Sequence, residues 1–368
     1  MMISMRDRRV RPGATRFAGA VVFSFMAVIV SSLHTVPAIA GSASAPVPTD
    51  PCPSDSDDVS VCGLANPEDM VPLPQSEWVL ASGFSPDALY RVDTRARKAD
   101  NLVGTIRQSW DKKTYAQCPG PLRSGELLAH GVAVADGETP VFYVVNHGGR
   151  EAIEVYRVRR RDASLTWVGC VPTPQRVMIN SISALPSGDI VATNIGNPET
   201  NFMPDIIAGK VTGEVRIWSK AGGWRTLSGS EGSGPNGIVA APDGRFVYVA
   251  MSGTREVVRI SLDGKLPSLR SETLSVLPDN LRWTSDGKLT ATGMRFDPQL
   301  GECMTNPSCY PPFDILEVNP ETLDVLSVMS TVESRRLPPP TTALRVGREI
   351  WVGSFRANRI WILPAKQD

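Results

Sequence analysis

Residues Gly234–Gly253 read GPNGIVAAPDGRFVYVAMSG. Two apolar runs, IVAA and FVYVAMS, flank Pro242-Asp243-Gly244, a tight-turn signal. The unit reads as a hairpin whose strands are covered on both faces, because the apolar residues are consecutive rather than alternating. Asn236 breaks that pattern. Asparagine is a poor strand former, and alone it would read most simply as a turn or capping residue.

Two other stretches carry the same layout. Asn180 opens NSISALPSGDIVATNIG, and Asp279 opens DNLRWTSDGKLTATGM. In all three the turn glycine (Gly188, Gly244, Gly287) lies eight residues after the opening polar residue. A further strand follows each: GEVRIWS at 213–219, EVVRISL at 256–262 and FDILEVN at 313–319. Looser copies begin at Glu68 (EDMVPLPQSEWVLASG), His130 (HGVAVADGETPVFYVVNHGG) and Thr341 (TTALRVGREIWVGSF). Units of three or four strands recurring about every 40–60 residues are the signature of a β-propeller. The expected fold is all-β, a six-bladed β-propeller; seven blades is the alternative if residues 85–125 hide another unit. The first strand of each blade lines the central channel. Glu68, His130, Asn180, Asn236 and Asp279 are therefore expected to face the axis at one end of it.

The 368-residue chain is 42% hydrophobic and 21% charged, enough for a large core and without the bias of a disordered chain. Its formal net charge is zero, so there is no electrostatic footprint for nucleic acid. Residues 1–40 read as a cleavable signal peptide: Arg6, Arg8, Arg9, Arg11 and Arg16, then the uncharged run FAGAVVFSFMAVIV, then Ala38-Ile39-Ala40. The apolar run is short for a membrane span, so no stable span is expected after cleavage. The product is expected in a periplasm or outside the cell. Residues 41–66, rich in Ser, Pro and Asp, read as an exposed leader, and residues 67–368 as the propeller. The six cysteines (Cys52, Cys62, Cys118, Cys170, Cys303, Cys309) are an even set suited to disulfides in an exported chain. Spacing suggests the local pairs Cys52–Cys62 and Cys303–Cys309, leaving Cys118–Cys170.

Glu68, Asn180, Asn236, Asp279 and its neighbour Asn280 make an oxygen-only set of two carboxylates and three amides. Hard oxygen donors suit Ca²⁺, not zinc or copper. Such an ion with an open position can polarise an ester or lactone carbonyl. Beyond the signal only two histidines remain, His130 and His147. Both fall in the second unit, at strand ends that the hairpin returns to one neighbourhood, where they could serve as general base and orienting partner. Asp243 and Asp286 belong to turns, and Asp189 and the RVRRR run at 157–161 are expected to face solvent.

These stretches in this order (EDMVPLPQSEWVLASG, HGVAVA, YVVNHGG with AIEVYRV, INSIS, PNGIVAAPDGRFVYVA, PDNL, ALRVGREIWVGSF) resemble the paraoxonase/arylesterase family over about residues 66–365. More distantly they resemble the SMP-30/gluconolactonase propellers. The resemblance implies a six-bladed propeller with two calcium ions in its channel. It implies a catalytic ion held by Glu68, Asn180, Asn236, Asp279 and Asn280, a His130–His147 dyad, and hydrolysis of small lactones and aryl esters. For the second, structural ion it implies Asp69 and the carbonyl of Val132, with an aspartate where this chain has Ser181. The family's disulfide between the chain ends has no cysteine to use in NRIWILP, and the stretch after Asn194 differs from mammalian members. Asp279 competes with His130 for the role of base. Two other readings are open: a non-catalytic binding or scaffold propeller with structural calcium, and a strictosidine-synthase-like propeller. Oligomeric state is not legible in the sequence.

Overall fold

The computed structural model describes residues 59–297, 309–332 and 337–365. The expected signal peptide, the leader up to residue 58, Cys52 and Cys303 lie outside them. Six antiparallel sheets make the fold, each a propeller blade. Their inner strands are Pro67–Pro72, Ala129–Ala135, Met178–Ala184, Pro235–Ala240, Val276–Trp283 and Thr342–Val346, taken here as blades 1 to 6. Among the described residues one short α-helix, Met203–Ile207, and one 3-10 turn, Val103–Thr105, interrupt the β structure. Among the described residues no helix is long and apolar enough to cross a membrane.

The turn glycines behave as the repeat requires. Gly188, Gly244 and Gly287 take φ of 84°, 69° and 79°, a left-handed backbone that costs a side-chain-bearing residue free energy. The strand after each turn is buried on both faces. Val247–Met251 is entirely buried, as is the matching Val79–Gly83 of blade 1. This explains the unbroken apolar runs: each blade packs face to face against two neighbours. Leu281, Leu289 and Leu316 of blade 5 meet Tyr248 and Val257 of blade 4. Val191 and Val215 of blade 3 meet Ile238, Val249 and Val258 of blade 4. Phe313 and Ile315 of blade 5 meet Ile350 and Val352 of blade 6.

The ring closes by a strand the sequence reading had assigned to the leader. Ser60–Cys62 pairs antiparallel with Arg359–Pro364 as the outermost strand of blade 6, through Ser60–Trp361, Val61–Ile360 and Cys62–Arg359. Val61 is fully buried there, beside Met70, Val79 and Trp351. The two ends of the propeller are thus joined by backbone hydrogen bonds rather than by a disulfide in the last strand.

Residues 85–125 form no seventh blade. Leu89–Asp93 and Lys98–Asn101 complete blade 1, and Arg107–Gln108 adds a fifth strand to blade 2, parallel to Ser164–Pro172. The rest of the loop is fastened to blade 2 by the Cys118–Cys170 disulfide, across a sequence separation of 52. Cys62 and Cys309 are also disulfide-bonded. Closing a loop of that length is worth about 4 kcal/mol in the chain-entropy model, and engineered or native bridges deliver 2–4 kcal/mol. Replacing Cys118 and Cys170 together by alanine should lower unfolding stability by about 2–4 kcal/mol in guanidinium titration, with the far-ultraviolet circular dichroism retained.

Candidate functional site

The inner strands share one irregularity. In blades 1 to 5 two residues oppose one on the next strand: between Pro67 and Met70, Ala129 and Val132, Ile179 and Ile182, Pro235 and Ile238, and Pro278 and Leu281. The strand of blade 6 pairs in unbroken register. A β-bulge re-aims the side chains of the residues it contains. Here those residues are Glu68-Asp69, His130-Gly131, Asn180-Ser181, Asn236-Gly237 and Asp279-Asn280. The five openers expected to face the axis all sit on such a bulge; Thr341, the opener of the sixth unit, does not.

Two features allow five bulges to meet. In blades 2 and 4 the second residue of the pair has almost no room for a side chain. A Cβ on Gly131 would lie 2.4 Å from the Asn180 carbonyl oxygen, and one on Gly237 would lie 2.4 Å from the Asp279 carbonyl oxygen. The amides that a bulge removes from the ladder must also be satisfied. Ser82 accepts the Asp69 N–H at 3.0 Å, and Thr193 accepts the Ser181 N–H at 3.0 Å while donating to the Asn236 carbonyl at 2.5 Å. Thr341 donates to the Glu68 carbonyl at 2.6 Å, and Ser252 to that of Pro278 at 2.6 Å. These hydroxyls were not legible beforehand, because Ser and Thr in ASG, ATN and MSG look like ordinary strand-end residues.

The polar ring is buried and largely unpartnered. Glu68 is 2% exposed, Asn280 2%, Asn180 7% and Asn236 8%, and Asp279 keeps a partial opening. Asn280 donates its amide to Glu68 Oε1 at 3.0 Å, and the Asn236 side chain hydrogen-bonds the Asp279 carboxyl. Glu68 Oε2 and the amide oxygens of Asn180, Asn236 and Asn280 have no hydrogen-bond donor at all. A buried polar atom without a partner costs about 1–3 kcal/mol, so four together are a poor way to stabilise a core and a good way to surround a cation. Electrostatics agree. Burial raises the Glu68 carboxyl well above the usual range, and the charges of Asp69 and Asp279 raise it further, against the Asn280 amide and the Arg282 guanidinium. Burial, then the Asp69 charge, pushes Asp279 up to about 8. A cation among these oxygens would reverse both penalties. The donors are hard oxygens; among the described residues no group of three or more His, Cys, Asp or Glu side chains gathers to hold a metal. Two carboxylates plus three amides fit calcium.

Asp69 faces elsewhere. Its carboxylate accepts the N–H of Met70 at 2.8 Å and of Val132 at 2.9 Å, and pairs with the Arg282 guanidinium. It is not a member of the unpartnered set.

The two histidines adjoin the ring. His130 Nε2 lies 3.6 Å from Glu68 Oε1, and His130 Nδ1 lies 2.9 Å from His147 Nε2. His147 Nδ1 then lies 2.8 Å from Glu151 Oε2. Glu151 was not singled out in the sequence; its only signal is a place four residues after His147. An ionised carboxylate can only accept. His147 therefore donates from Nδ1, accepts at Nε2 from His130 Nδ1–H, and leaves the His130 Nε2 lone pair facing the polar ring. Burial, and then the neighbouring His147, holds His130 well below the ordinary imidazole range, in its neutral form. Phe84 walls the imidazole at a centroid distance of 5.0 Å. Asn146 Oδ1 accepts the N–H of Leu128 at 2.8 Å and of Gly148 at 3.0 Å, fixing the turn that presents His147.

Three solved propellers share the fold at low identity. A gluconolactonase from Xanthomonas campestris is 14% identical (TM-score 0.51, 83% of this chain and 88% of that one). A luciferin-regenerating enzyme is 13% identical (TM-score 0.52, 83% and 94%). Regucalcin from Agrobacterium tumefaciens, a calcium-binding protein, is 11% identical (TM-score 0.50, 83% and 93%). No curated protein matches the chain in sequence. The arylesterase family model matches residues 111–334, more than half of the sequence. The match takes in four of the five bulged blades and both histidines, and the chain belongs to the arylesterase family of hydrolases.

Proposed function

We propose that this protein is an exported calcium-dependent hydrolase of lactones and carboxylic esters, with its active site at the polar ring. The observation that carries this reading is the set of four unpartnered buried oxygens, on Glu68, Asn180, Asn236 and Asn280, beside a histidine whose free lone pair faces them. Glu68, Asn180, Asn236, Asp279 and Asn280 would hold the ion. Bound there, calcium supplies a Lewis acid that polarises the substrate carbonyl and stabilises the oxyanion. His130 Nε2 takes the proton of the attacking water, and the resulting imidazolium is supported by the hydrogen bond that His130 Nδ1–H donates to His147 Nε2. Glu151 holds His147 in the tautomer whose Nε2 accepts from His130, as an orienting carboxylate does for a catalytic imidazole. Disulfides at Cys62, Cys118, Cys170 and Cys309 support an oxidising compartment. The regucalcin and gluconolactonase folds support the calcium and lactone parts only by analogy.

Removing calcium with a chelator should abolish lactone and aryl-ester hydrolysis, and readdition should restore it. Asn236→Ala should weaken calcium binding by isothermal titration at least about 10–100-fold, the loss typical of changes one shell further out. Turnover that persists in both conditions sinks the mechanism; tight calcium binding without any turnover leaves a non-catalytic binding propeller.

His130→Gln should lower kcat by about 10²–10⁴, the usual contribution of a general base, with calcium affinity kept. Glu151→Gln should lower kcat by about tenfold with KM unchanged and move the acid limb of the pH profile to lower pH, because the imidazolium loses a neighbouring negative charge. Glu151→Asp should restore part of both. An unshifted profile in Glu151→Gln would show that the carboxylate does not position the dyad.

A further inference from the structure

Arg282 follows Asn280 by two residues on the inner strand of blade 5 and is 6% exposed. A guanidinium so buried needs hydrogen-bond partners, and this one makes four hydrogen bonds to three strands. Nε donates to the Met70 carbonyl at 2.6 Å, Nη1 to the Leu281 carbonyl at 2.7 Å, and Nη2 to the Val132 carbonyl at 3.2 Å and to the Asp69 carboxylate. Met70 and Asp69 belong to blade 1 and Val132 to blade 2, so the side chain crosses the channel to strands that do not adjoin its own.

We propose that Arg282 is a built-in cation standing where a second metal ion would otherwise be held. The oxygens expected for that ion, the Asp69 carboxylate and the Val132 carbonyl, are both bonded to the guanidinium. The remaining position is Ser181, fully buried and uncharged, so the pocket offers one negative charge and Arg282 balances it. A divalent ion at the same oxygens would sit against a buried positive charge already bonded to them. The tether across blades 1, 2 and 5 is then permanent and independent of calcium, and the residues do not fit a second ion. The count of bound ions rests on the calcium reading of the polar ring; the role of Arg282 does not.

The experiment counts Ca²⁺ bound per chain by equilibrium dialysis, on the full protein and on the double variant Ser181→Asp with Arg282→Ser, each with its melting temperature in calcium and in chelator. One ion is expected in the wild type and one more in the double variant, whose melting temperature acquires an added calcium-dependent rise. Arg282→Lys, which keeps a cation, should still show the wild-type count. Two ions in the wild type overturn the proposal, as does a folded double variant that gains none. No ion in the wild type with one gained in the double variant would sink the polar-ring reading and support the proposal for Arg282. Should the double variant not fold, the wild-type count together with that of Arg282→Lys decides: one in both supports it, and two in either overturns it.

Discussion

Six inner strands converge on one axis, and five carry an extra residue where they come closest. The rest of the site depends on that constraint. A regular strand would turn alternate side chains toward neighbouring blades. The bulge breaks the alternation and sends the opening residue inward. It leaves amides unpaired, and hydroxyls of the adjoining strand accept two of them, Ser82 from Asp69 and Thr193 from Ser181. It brings backbones so close that the second residue is glycine at positions 131 and 237, where any Cβ would meet a neighbouring carbonyl.

The same convergence concentrates polarity in a place that cannot be hydrated freely. Around it the blades pack through continuous apolar layers, and those layers carry the stability. The channel instead holds carboxylates and amides whose burial penalises the fold. Two solutions to one problem lie side by side in this channel. At Asp69 the charge is met by Arg282 from the chain itself, with its hydrogen bonds to carbonyls completing the coordination. At the polar ring, amide oxygens and Glu68 Oε2 are left without donors. An internal cation suits a structural tether, because it cannot leave. An external one suits chemistry, because its coordination sphere can open to a substrate oxygen.

Much of this was legible in the chain. The eight-residue interval from polar opener to turn glycine is a purely local property, and it placed Asn180, Asn236 and Asp279 in equivalent positions before any strand was paired. Unbroken apolar runs told of blades covered on both faces. What stayed hidden depends on residues far apart in sequence. Ser60–Cys62 reads as part of a polar leader, since three residues carry no period and the partner strand lies at the other end of the chain. Glu151 looks like any charged residue at a strand entry until the hairpin brings His147 back beside His130.

Arg282 marks the division most clearly. Within LRWTSDG an arginine in an inner strand has no local sign of burial, and the departure at Ser181 shows only a change around a second ion. Local sequence determined the repeat, the turn chemistry and which residues open each inner strand, because those follow from short-range backbone preferences and periodicity. Tertiary structure decided which openers are left without partners, which carboxylate is neutralised from within, and how a carboxylate is linked through two imidazoles to the ring. Those outcomes depend on contacts such as Arg282 with Met70 and Val132, made across the channel by strands that adjoin neither in sequence nor in the sheet.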